Sequence, residues 1–154
     1  MKKNITALAA ALITAVMLCS CGGKTADVDV NELFKAAKES SSSYDELVEV
    51  EADEVKRLYG IESDWYTDYS ASVSGNLAYA EEIIIFKVSS SENTEKIKSA
   101  LEKRVESRIK TLEGYAEDEA AKLKKAKIKT KGDYVYLVVG EDNKKAEDAM
   151  NKLF

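Results

Sequence analysis

The sequence contains no histidine and no proline, one tryptophan, and two cysteines, Cys19 and Cys21, both near its start. Without histidine, the commonest general base and the imidazole metal ligand are missing, so a histidine metal site and the usual nucleophile–base pairs are excluded. With both cysteines so close to the N-terminus, the body of the chain has no thiol for a disulfide or a thiolate metal site. Neither the glycine pattern of a dinucleotide site nor that of a phosphate loop occurs, and there is no Gly-x-Ser-x-Gly elbow. Serine, lysine and carboxylates are so abundant that no catalytic pair stands out. No catalytic residue, cofactor or metal is expected, and the chain reads as a non-enzyme.

What is present begins with an address. Lys2 and Lys3 precede an apolar run, Ile5 to Leu18, broken only by Thr6 and Thr14; this is the layout of an export signal. The run is shorter than the ~20 apolar residues a spanning helix needs. Leu18-Cys19-Ser20-Cys21 resembles the lipobox of bacterial lipoproteins, with an aliphatic residue three before the cysteine and a small one directly before it. The resemblance implies a diacylglyceryl group on the Cys21 thiol and cleavage between Ser20 and Cys21. Cys19 suits less well, because bulky Leu18 precedes it. Two acyl chains give stable attachment, each buried methylene contributing about 0.8 kcal/mol. The expected organisation is a signal peptide at 1–20, a lipidated tether at 21–28 and one domain at 29–154, on the extracytoplasmic face of a cell membrane.

Net charge is -5 for the whole chain, and loss of Lys2 and Lys3 with the leader takes it to -7. That balance speaks against a nucleic-acid partner. About 130 residues suffice for one domain with its own core.

Along the domain, Asp29 and Glu32 form a capping-box pattern, and Val30, Leu33, Phe34 and Ala37 recur at helical spacing. The serines from Ser40 to Ser43 read as a loop, and Tyr44 to Glu54, rich in carboxylates, as a solvated acidic face. Val55, Leu58 and Tyr59 make the stripe of a second helix that Gly60 ends with a left-handed cap. Between Ile61 and Tyr79 lie Trp65, Tyr66 and Tyr69. These are either sheet-packing residues or a recognition patch, and they form the candidate recognition surface. Tyr69, Ala71 and Val73 alternate with serines, the pattern of a strand with one wet face. Ile83 to Phe86 should be a strand buried on both faces. A long helix carrying Ile97, Leu101, Val105, Ile109 and Leu112 follows, and Ala116 to Lys125 adds a shorter one. Lys127, Lys129 and Lys131 alternate, which protects a sheet edge. Alternatively, Lys124, Lys127 and Lys129 contact an anionic polymer of the cell wall. Gly132-Asp133 reads as a hairpin turn into Tyr134 to Val139, and the last helix should turn Ala146, Ala149, Met150 and Leu153 inward.

The pieces predict an α+β domain, with a small antiparallel or mixed sheet of about four strands packed against one long and several short helices. The runs Val55 to Ile61, Glu82 to Lys87, Ala100 to Arg104 and Thr130 to Val135, in that order and spacing, resemble a family of small bacterial lipoproteins known only as domain of unknown function 4358. The resemblance implies an envelope location and one domain, and brings no activity with it. The leading expectation is a membrane-anchored, non-catalytic binding or interaction domain, with an envelope protein or the cell wall as possible partner. Alternatives are a solute-capturing lipoprotein serving a transporter, a passive envelope-maintenance lipoprotein and, last, an envelope hydrolase.

Overall fold

A computed structural model describes residues 27–154. The leader, Cys21 and the tether up to residue 26 lie outside the described residues. Five strands form one antiparallel sheet in the order β1-β2-β3-β5-β4: β1 Leu47–Glu49, β2 Tyr66–Ser74, β3 Glu82–Val88, β4 Lys129–Lys131 and β5 Tyr134–Val139. Five helices cover it: α1 Val30–Lys38, α2 Ala52–Tyr59, α3 Ser91–Leu112, α4 Glu117–Lys125 and α5 Asn143–Asn151. The fold is α+β, as the pattern predicts.

The two central strands explain the layering. β3 and β5 are apolar at almost every position, so alternate side chains feed two separate cores. Ile84, Phe86, Val135, Leu137 and Val139 face α2, α3 and α4, with Ile97, Leu101, Leu112 and Leu123 packed on them. Ile83, Ile85, Tyr134, Tyr136 and Val138 face α1 and α5, meeting Leu33, Ala37, Ala146 and Met150. The sheet is therefore the middle of three layers.

The expected signals place the boundaries well. Asp29 caps α1 by accepting the Asn31 N–H at 2.7 Å, and Gly60 ends α2 at φ 67°. Asp27 and Val28 already belong to the domain: Lys87 pairs with Asp27, and the Val28 N–H donates to the Tyr134 hydroxyl at 2.9 Å.

Four expectations need correction. The sheet has a fifth strand, β1, inside the stretch read as a solvated acidic face; there Tyr44 and Val50 are buried and Val48 pairs with Val73. Three residues are too few to show a strand's period. Ser42–Tyr44 is a short 3-10 turn rather than loop. The serine face of β2 is not wet, because α1 lies over it and Ser72 is buried. Leu153 points outward, 39% exposed, since α5 ends at Asn151 and it is Phe154 that turns back onto Tyr134 and Tyr136 of the sheet.

Candidate functional site

Trp65 sits just before β2, where Ile61 to Asp64 carry the chain from α2 to the sheet. Its carbonyl accepts the Ser89 N–H at 3.0 Å, tying it to the end of β3. The indole is half-buried against the larger core, and its outer side forms one wall of a shallow groove of about 560 Å³. The opposite wall is a stripe of α3, namely Lys96, Ser99, Ala100 and Lys103, at spacings of three, four and seven from Lys96. The Lys96 ammonium lies 5.5 Å from the indole centroid, a cation–π distance. Gly60 and the edge of Tyr59 close one side.

Tyr66 and Tyr69 do not line this groove. They pack edge to face at 5.4 Å and both lie against Phe86, and the Tyr69 hydroxyl donates to the Val50 carbonyl at 3.1 Å. Of the three aromatics proposed as a recognition surface, the structure puts Trp65 at a groove and makes Tyr66 and Tyr69 a half-buried cluster over the larger core. Sequence reasoning missed Lys96 and Lys103; the signal was a polar stripe along a helix otherwise read for its apolar side.

Behind the groove lies a buried ionic cluster. Glu82 is 2% exposed, with the Arg104 guanidinium 3.4 Å away. Burial pushes its carboxyl above the ordinary range, while Arg104 and then Tyr59 pull the other way. The Tyr59 hydroxyl sits beside this carboxylate without a hydrogen bond of good geometry, and Arg104 stacks 5.3 Å from the Tyr59 ring. Arg108, one turn on, donates to the carbonyls of Leu77 and Tyr79 at 3.2 and 2.8 Å.

A second groove, about 360 Å³, brings Ser42 and Ser43 to the same walls as Lys122, Glu81 and Tyr79. Serine beside lysine is a hydrolase pairing only when the lysine is neutral. Here the Lys122 ammonium donates to Glu81 at 2.6 Å and to Glu119 at 2.7 Å. Burial works against its charge, but the two carboxylates hold its pKa above the usual lysine value. It is an ammonium locked between two anions, and cannot take a proton from either serine. One Ser-x-x-Lys spacing, Ser107 to Lys110, escaped sequence reasoning; both residues are exposed on α3 and line neither groove.

The basic segment is not brought together as a free row. Lys124 pairs with Glu113 at 2.6 Å on the α3 side of the sheet, while Lys129 pairs with Glu147 of α5 on the other side. Lys127 is exposed between them and makes no ion pair among the described residues. β4 is an edge strand, the position in which alternating lysines oppose pairing with another chain.

No group of three or more carboxylate, histidine or cysteine side chains is placed to hold a metal ion among the described residues. No helix among them is long and apolar enough to cross a membrane. The candidate lipidation residue, Cys21, is outside them. A family model described as domain of unknown function (DUF4358) matches residues 39–140, a span from the 3-10 turn through β5. No curated protein and no solved structure matches the chain.

Proposed function

The chain belongs to the DUF4358 family, and from that premise we propose that it is a membrane-anchored extracytoplasmic lipoprotein whose domain binds a partner without transforming it. The observation that carries the binding half is the Trp65 groove. An aromatic face backed by the core and flanked by Lys96 and Lys103 offers contact area with little entropy to lose. The clamping of Lys122 supports the non-catalytic half, since the one lysine beside grouped serines is held charged. The lipobox pattern at Leu18 to Cys21 supports the anchor.

Two measurements on the full chain test this. Wild-type protein should fractionate with membranes and Cys21→Ala should be released; equal retention and processing of both removes the anchor. Trp65 is the only tryptophan, so intrinsic emission reads the groove directly. Envelope fragments that bind there should shift it, whereas turnover of peptidoglycan, peptide or ester substrates lost on one substitution would make the protein an enzyme. Capture of a small solute is a second reading, favoured by the groove's size, and predicts a ligand-dependent rise in melting temperature.

A further inference from the structure

Five large apolar side chains stand exposed among the described residues, and four of them gather at one end of the domain. Leu77, at 76%, and Tyr79 lie on the loop joining β2 to β3. Val48 of β1 is beside that loop, its methyl next to Gly75. Tyr115, 62% exposed, follows α3 in the turn beyond Leu112, near enough to Arg108 to act on its charge. We propose that this apolar end is a docking face for a second protein, one presenting an apolar cleft with a basic rim.

The loop is built to hold its side chains still. Arg108 grips the Leu77 and Tyr79 carbonyls, and the Asn76 side chain accepts the Ala78 N–H at 3.0 Å. The Ala80 N–H donates to Glu119 of α4 at 2.8 Å, fixing the loop to the neighbouring helix. A leucine held outward on a fixed turn loses little entropy when it enters a cleft, which is the property of an interface anchor.

Charge defines the rim. Asp45 and Glu46 share the second groove with Tyr79, and α4 begins with Glu117 and Asp118 beyond Tyr115, while Glu119 is taken up by Lys122 and the Ala80 N–H. Most cations here are committed: Arg104 faces Glu82, Arg108 holds the loop, Lys122 lies between two carboxylates and Lys124 pairs with Glu113, which leaves Lys110 and Lys125 exposed without an ion pair among the described residues. Asp45, Glu46, Glu117 and Asp118 outnumber those two lysines, so the free charge around the patch is acidic on balance, and like charge on a second copy of this chain would repel it.

The patch lies at the end of the domain far from the tether, a point that bears on the bilayer only if the anchor at Cys21 holds. The tether enters at the opposite end, where Asp27 meets Lys87 and Trp65 meets Ser89. α3 runs from that end to the patch: Ser91 to Arg108 spans about 25 Å, and the helix continues toward Tyr115. The six links from Cys21 to Asp27 extend at most ~22 Å. The anchor therefore does not by itself bring the patch to the bilayer, and an acidic rim disfavours an anionic lipid surface.

The test places a photo-crosslinking residue at position 77, at 115, or at the control position 145 on α5, in the full chain in intact cells. Positions 77 and 115 should give the same single adduct with one other protein, and position 145 should not. With that protein purified, Leu77→Ser plus Tyr79→Ser should weaken binding by about tenfold or more at unchanged melting temperature. Glu46→Gln plus Asp118→Asn should weaken it less and reduce its salt dependence. Adducts with a second copy, with lipid only, equally at all three positions, or at none overturn the proposal, as does binding unaffected by the serine variants. Repeating the binding with Cys21→Ala separates the two readings: affinity should persist in the released protein, so loss of the anchor alone leaves the docking face standing.

Discussion

Gly140 ends β5 and owes its identity to a neighbour. A methyl group placed on it would stand 2.7 Å from Cε1 and 2.8 Å from Cζ of Tyr44, and closer still to the hydroxyl. Carbon pairs prefer about 3.5–4.0 Å, so the overlap approaches ~1 Å. Tyr44 is fully buried among α1, β3 and β5 residues and has nowhere to swing. Overpacking of this kind costs about 1–3 kcal/mol, and the alanine recovers roughly 0.4–1 kcal/mol by restricting the unfolded chain. Gly140→Ala should therefore lose about 1–2 kcal/mol, or some 3–8 °C in melting temperature for a domain of this size. The Tyr44 hydroxyl is itself buried without a partner, and burial, with Glu81 and Asp142, pushes its pKa up to about 12. Tyr44→Phe should accordingly be neutral or stabilising by up to ~1 kcal/mol. In that background Gly140→Ala should cost less, because the nearest contact is gone, though two ring carbons still press. Urea unfolding of the four proteins in a double-mutant cycle should give a favourable coupling of about 0.5–1 kcal/mol. A Gly140→Ala protein as stable as wild type, or a zero coupling, would refute the packing described.

Three further outcomes follow from other parts of the fold. Burial raises the Glu82 pKa above 4.5, so the folded state keeps its proton to higher pH than the unfolded chain. The stability of wild type relative to Glu82→Gln should then fall as pH rises from about 4.5 through the elevated value; a difference constant with pH would refute it. Trp65→Ala removes a half-buried ring and should cost about 2 kcal/mol by circular-dichroism-monitored unfolding; no loss would show the ring to be free of the core. Replacing Lys127, Lys129 and Lys131 together by threonine should bare the β4 edge and raise self-association in sedimentation, whereas an unchanged monomer would give the lysines another purpose.

The sequence by itself determined the elements that repeat strongly or end sharply. β3 and β5 were legible because runs of four and six consecutive apolar residues are buried on both faces, and α2 because Gly60 supplies the left-handed cap. α3 was legible from its apolar stripe, and β4 from alternating lysines. What only the tertiary structure decided depends on neighbours distant in the chain. β1 is a strand because Ser72 to Ser74 lie beside it, and the serine side of β2 is dry because α1 covers it. Lys122 is locked, not reactive, because Glu81, 41 residues away, lies within 2.6 Å. The paired state of Lys124 and Lys129 depends in the same way on Glu113 and Glu147. Trp65 became a groove wall, apart from Tyr66 and Tyr69, once α3 was laid against it. The apolar end is visible only when the β2–β3 loop, β1 and the turn after α3 are brought together. Periodicity fixes which side of an element is apolar, because it is a property of a few consecutive residues. Charge neutralisation and exposure are properties of pairs, and the pairs are made by the fold.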